Sequence, residues 1–141
     1  MAPPDRPMSF HRPPEHYVTH SMSTDLLTVR REEALVLAAG RMIDRRVGAV
    51  LVVHPDGSLD GILTERDVLR AAAHGSVAGI VAEWMTTDPV TVGREATNAE
   101  AAMMMLHGGF RHVPVVENGR PVGIVSIRDL LRLANETPAG V

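Results

Sequence analysis

Thr64-x-x-Asp67 and Ser126-x-x-Asp129 each follow a β-branched stretch and open a segment with helical apolar spacing. A hydroxyl followed three residues later by an acid is the reciprocal cap of a helix start, although Glu or Gln is the commoner partner. The same geometry can serve a ligand. The unpaired N–H groups and partial positive charge of a helix start suit a phosphate. The hydroxyl adds a donor. A carboxylate one turn on can accept two hydrogen bonds, which matches the vicinal diol of a ribose. Arg66 and Arg128, beside each Asp, can supply charge to a polyphosphate. Gly61 and Gly123 precede the motifs, where a missing side chain lets another backbone or a ligand approach.

The two motifs are copies. Shifting the chain by 63 lays Met22-Ser23-Thr24-Asp25 on Met85-Thr86-Thr87-Asp88 and puts Val50, Val52 and Val53 on Val113, Val115 and Val116. After the His54-Pro55-Asp56-Gly57 turn a shift of 62 takes over, and Gly61-Ile62-Leu63-Thr64-Glu65-Arg66-Asp67 matches Gly123-Ile124-Val125-Ser126-Ile127-Arg128-Asp129. The single length change falls in a turn, where a duplication tolerates it.

Each copy reads β-α-β-β-α. A short strand (Leu27–Val29; Val90–Val92) leads into a helix. In the first copy that helix spans about Arg31 to Asp44, with Ala34, Leu35, Ala38, Ala39, Met42 and Ile43 on one face. In the second, Ala99, Ala102, Met103 and Leu106 take that role. A Val-rich strand follows (Val47–Val53; Val113–Val116). Asp56-Gly57 and Asn118-Gly119 mark hairpins into a second strand (Ser58–Leu63; Arg120–Val125). The last helices start at Thr64 and Ser126. One such unit leaves apolar surface uncovered, and two packed sheet to sheet would bury it. The expected layout is a Pro-rich mobile tail over 1–14, a first repeat over 15–76, a second over 77–135 and a tail over 136–141, with Trp84 as a packing residue at the joint.

Composition narrows the function classes. In 141 residues the formal charge is −3, aromatics are 3% and cysteine is absent. There is no global basic field for nucleic acid or an anionic membrane, and few base-stacking platforms. Disulfides, thiol nucleophiles and thiolate zinc sites are excluded. The start of the chain lacks the apolar core of a signal peptide, and no apolar run approaches the ~20 residues of a membrane span. A cytoplasmic protein is expected. The seven histidines show no helical i, i+4 pair, so no metal site is expected and His11, His16 and His20 read as solvated. Met103-Met104-Met105 reads as adaptable packing. Arg45-Arg46 reads as a solvated pair. No constellation supports catalysis; the two Asp are equivalents in a duplication rather than an acid and base in different surroundings.

The ordered motifs, each present twice, resemble the ends of cystathionine-β-synthase (CBS) domains. Met85–Val92 and Phe110–Val116 look like the start and middle of the same domain. The resemblance covers about Val18 to Leu133 and implies an α+β fold of two tandem CBS repeats packed through their sheets as a pseudo-twofold pair, a Bateman module. It implies a regulatory, non-catalytic function with clefts for AMP, ADP or ATP and sometimes S-adenosylmethionine, homodimerisation through the helices, and a separate effector protein. By the same resemblance Asp67 and Asp129 would hold ribose, and Thr64 and Ser126 ribose or phosphate. Arg66 and Arg128 fill the variable position before the Asp. Thr24 and Thr87 match positions that often meet the nucleotide, and Arg111 and His112 match a strand start where basic residues reach phosphates. The first copy has Gly48-Ala49 in place of Arg111-His112, and Glu65 in place of Ile127. Tighter nucleotide binding is therefore expected at the Asp129 cleft. A protein-interaction subunit with vestigial clefts is the alternative.

Overall fold

The computed structural model describes residues 16–136; the expected tail over 1–14, with His11, and residues 137–141 lie outside the described residues. After a short helix α1 (Val18–Ser21), the first copy comprises β1 (Thr28–Val29), α2 (Leu35–Arg45), β2 (Ala49–Val53), β3 (Leu59–Thr64) and α3 (Glu65–Ala73). A 3-10 turn, Val81–Glu83, leads to β4 (Thr86–Thr87), and the second copy continues with α4 (Asn98–Gly108), β5 (His112–Glu117), β6 (Arg120–Ser126) and α5 (Ile127–Glu136). The chain is α+β, as its pattern predicts.

Strand β2 is buried on both faces, which is why it reads as an unbroken apolar run. Val50 and Val52 join Val29, Leu35, Ala38, Met42, Leu63, Ala71 and Val81 in the core of the first copy. The alternate residues Ala49 and Leu51 pack with Ile62 against Ile124 of the second copy, so the sheets meet face to face. Val92, Ala101, Met105, Val113, Val115 and Val125 form the second core.

The copies exchange their leading segments. Val18 lies in the second core and Val81 in the first, both fully buried. The Val18 N–H donates to the Ala96 carbonyl at 2.9 Å, and the Val81 N–H donates to Glu33 at 2.9 Å. These are equivalent bonds under the duplication, related by the 63-residue shift. The first N–H of α2, at Leu35, donates to the Gly79 carbonyl at 3.0 Å; that of α4, at Asn98, donates to His16 at 2.8 Å. Each first helix is thus capped by the segment leading into the other copy. Strand β4 joins the first sheet in the order β1-β2-β3-β4, and Ser23 bridges Ile124 of β6 in the mirror arrangement. Gly61 permits this crossing, because a Cβ there would run into the Thr86 carbonyl oxygen.

Two expectations are corrected. The second copy's leading strand shrinks from Val90–Val92 to a single bridge, Val92 in parallel to Val115, while Thr86–Thr87 pairs with the first sheet. In α4 the buried residues are Ala101 and Met105, while Leu106 is 75% exposed and Met103 is exposed. That helix is apolar almost all round, so its spacing could not select a stripe. Likewise α2 buries Leu35, Ala38 and Met42 but leaves Ile43 76% exposed.

Candidate functional site

The Thr64 and Ser126 junctions each open onto a cleft between the copies. The cleft at Asp129 has a volume of about 570 Å³, and that at Asp67 about 600 Å³. Each takes its Asp-bearing helix start from one copy and a helix-to-strand loop from the other. Residues 46–49 face Asp129 and residues 109–112 face Asp67.

Both motifs perform the cap. At Asp67 the Thr64 N–H and hydroxyl donate to Oδ2 at 2.9 and 3.0 Å, and the Asp67 N–H donates to the Thr64 hydroxyl oxygen at 3.3 Å. Arg70 Nη1 donates to Oδ1 at 3.2 Å, and the carboxylate side chain is 9% exposed. At Asp129 the Ser126 N–H donates to Oδ2 at 3.1 Å and the Asp129 N–H donates to the Ser126 hydroxyl oxygen at 3.0 Å. Arg132 stands 3.9 Å from Oδ1, and the Asp129 side chain is 22% exposed. A carboxylate has about four acceptor positions. Asp67 has used three on its own copy, whereas Asp129 has used one at hydrogen-bond distance. Asp129 keeps what a diol requires.

The walls differ in charge. Four arginines, Arg46, Arg111, Arg128 and Arg132, face Asp25, Glu65 and Asp129 in one cleft. Arg66 and Arg111 face Glu65, Asp67 and Asp88 in the other. With His112 neutral, the first wall has an excess of positive charge and the second of negative charge. Arg111 and His112 belong to both walls, together with Gly48 and Glu65. The sequence reading had placed Arg111 and His112 with Asp129 alone. Their place in both walls removes that premise for ranking the clefts, and the Asp129 carboxylate and its arginines replace it.

Thr64, Arg66 and Asp67 line one cleft and Ser126, Arg128 and Asp129 the other. Thr24 and Thr87 are exposed and line neither; their neighbours Ser23 and Asp25, and Thr86 and Asp88, form the walls. Arg45 pairs with Asp25 at 3.0 Å, while Arg46, read from the sequence as solvated, stands in the wall of the Asp129 cleft. Arg46 caps α2 in the left-handed region, φ 54°, where the second copy has Gly109 at φ 73°. Aligned copies with glycine in one and arginine in the other carried that signal. We expect Arg46→Gly to stabilise the fold by up to about 1 kcal/mol, the left-handed strain relieved less the added chain entropy. It removes a cation from the Asp129 wall, so a nucleotide of the kind the resemblance implies should bind there more weakly, and a melt paired with titration calorimetry reads both.

His112 sits against Gly48, where an added Cβ would lie 3.3 Å from the imidazole. Burial holds the imidazole pKa below its ordinary value; Glu65 and Asp129 oppose this, while Arg111 and Arg128 reinforce it. Its folded pKa is therefore below the unfolded value of about 6.5. As pH falls through that value the unfolded chain takes up a proton that the folded chain resists, so the ligand-free fold loses stability. A phosphate against His112 favours the imidazolium. If a nucleotide of the kind the resemblance implies binds there, its melting-temperature gain should accordingly grow from pH 8 toward about pH 5.5, and His112→Gln should flatten that trend.

Among the described residues no helix is long and apolar enough to cross a membrane, and no group of three or more His, Asp or Glu could hold a metal ion.

Comparison with known proteins agrees with this architecture. The CBS domain family matches residues 17–74 and 81–136. An uncharacterized 17.7 kDa protein of Acidianus ambivalens is 34% identical over 116 residues, 82% of this chain and 71% of that protein. The solved CBS domain pair of protein MJ0100, in complex with 5′-methylthioadenosine and S-adenosyl-L-methionine, is 28% identical, with a TM-score of 0.82 over 86% of this chain and 98% of its own. CBSX2, solved in complex with AMP, is 20% identical with a TM-score of 0.78 over 87% and 99%, and supports the fold. With both copies matched and the pair superposing on a solved pair, the chain belongs to the CBS domain family and carries that domain in tandem.

Proposed function

We propose that this chain is a non-catalytic regulatory module that binds an adenosine nucleotide, AMP, ADP or ATP, in the cleft at Asp129. The observation that carries this reading is the Asp129 carboxylate. It lines a cleft of about 570 Å³ with acceptor positions left for a ribose diol, beside the start of α5 and four arginines. Ser126 and Arg128 complete the phosphate side; Arg111 and His112 reach it from the shared wall. The Ser126 hydroxyl oxygen accepts from the Asp129 N–H, which is the work of a cap and not of a nucleophile. Ligand would favour one arrangement of the two copies, and a separate effector protein would read the change. Cytoplasmic nucleotide pools are the signal this reading requires.

The acidic excess at the Asp67 cleft favours a second, narrower reading there. An uncharged or cationic adenosine derivative such as S-adenosylmethionine suits that wall better than a polyphosphate, and the MJ0100 domain pair was solved with ligands of that type. Exposed Ile43 and Leu106 are equivalent positions on α2 and α4, as are Leu69 and Leu131 on α3 and α5. Apolar patches repeated about a pseudo-twofold suit an isologous homodimer, which sedimentation equilibrium would detect.

A thermal-shift panel tests the main reading. Ligand at 100 times its Kd should stabilise the fold by about 2.7 kcal/mol. AMP, ADP or ATP should do so; silence from every adenosine compound would leave the clefts vestigial and the chain a protein-interaction subunit.

A further inference from the structure

Arg70 does not line the Asp67 cleft, yet it touches the cleft's central carboxylate. Its Nη1 lies 3.2 Å from Asp67 Oδ1. Its guanidinium carbon stands 5.6 Å from the centroid of the Trp84 ring, within range of a cation–π contact. On the same ring His74 stacks at 5.6 Å with an interplanar angle of 24°. Trp84 follows the 3-10 turn of the crossing segment and packs against the first core, with its indole N–H buried and unpartnered. Two residues later β4 begins, and Thr86 is part of the Asp67 cleft wall. A single side chain therefore joins the carboxylate to the segment that ties the two copies together.

Among the described residues the other cleft has no such device. The 63-residue shift that equates the leading segments puts Ser21 where Trp84 stands. Arg132, the counterpart of Arg70, is 3.9 Å from Asp129 and has no aromatic beneath it in the equivalent place.

We propose that Arg70 is an autoinhibitory latch on the Asp67 cleft, and that a diol-bearing ligand entering there displaces Arg70 from Asp67 and so alters the Trp84 joint between the copies. This rests on the reading of the clefts as adenosine sites and adds a regulatory asymmetry to it. A diol needs two acceptor positions, and Asp67 offers one while Arg70 is in place. Ligand at Asp67 is thus coupled through Arg70 to the Trp84 joint, a link the Asp129 cleft lacks among the described residues.

Arg70→Met tests the latch, because the methionine stem still packs on Trp84 but donates no hydrogen bond. The probe is adenosine, which carries the diol without phosphate. In an Asp129→Ala background, Arg70→Met should bind adenosine about fivefold more tightly than the chain with Arg70 intact, the scale of one partly exposed charged hydrogen bond. Arg70→Lys should stay near the starting affinity. Trp84 is the one tryptophan of the chain and does not line the cleft. Its emission should shift as adenosine fills the Asp67 site, and that shift should vanish in Arg70→Met. Should Asp129→Ala fold poorly, the same comparison runs in the otherwise unaltered chain, where Arg70→Met should add a second adenosine site by equilibrium dialysis. Unchanged or weaker adenosine binding in Arg70→Met, with the Asp129 site still filling, overturns the latch alone. An emission shift that persists in Arg70→Met does the same. Adenosine binding at neither cleft in any variant overturns the latch together with the reading beneath it.

Discussion

Asp129→Ala is expected to lower AMP affinity at least tenfold, and Asp67→Ala less than threefold. Charged hydrogen bonds contribute about 1.5–3 kcal/mol each, and about 1.4 kcal/mol corresponds to a factor of ten. A ribose diol would find open acceptor positions at Asp129, whereas Asp67 is engaged by Thr64 and Arg70. Stability should change in the opposite order. Both substitutions remove the acid of a reciprocal cap, at about 1 kcal/mol. Asp67 is the more buried of the two and also holds Arg70 at 3.2 Å, so Asp67→Ala should melt lower. Titration calorimetry and thermal melts on the same two variants separate binding from folding. Equal losses of affinity, or a greater loss from Asp67→Ala, would reverse the assignment of the clefts.

A fragment of residues 15–78 should fail to fold cooperatively, whereas residues 24–88 should give a cooperative melt. The two are nearly equal in length and contain the same helices α2 and α3. The first lacks Val81, Trp84 and Met85, which pack into its core. It also loses the Gly79 carbonyl that caps Leu35 and the β4 edge that pairs with Gly61 and Ile62. It keeps Val18, whose burial lies in the other copy. The second fragment carries its core, its cap and all four strands of its sheet. Its exposed Ala49, Leu51 and Ile62 face should make it self-associate rather than unfold. Circular dichroism melts with size-exclusion chromatography would decide, and a cooperative monomer from 15–78 would contradict the exchange of segments.

The amino-acid sequence by itself determined the duplication, the α+β pattern, both hairpin turns and the two Asp-bearing helix starts. These are local properties: a period of two or 3.6, a Gly at a turn, a hydroxyl one turn before an acid. Matching copies supplied a second reading of each. Helix α4 escaped because Ala and Met populate nearly all of its faces, and only the sheet it packs on selects Ala101 and Met105. Thr24 and Thr87 line neither cleft, since which residues of a leading segment face a wall is fixed by its tertiary partners. The tertiary structure alone decided that Val18 serves the second core and Val81 the first, that Arg46 faces Asp129, and that Arg111 and His112 stand in both clefts. Those pairings join residues tens of positions apart across a pseudo-twofold axis. A chain folded on its own copy or exchanged with the other satisfies the same local pattern, and long-range packing chooses between them.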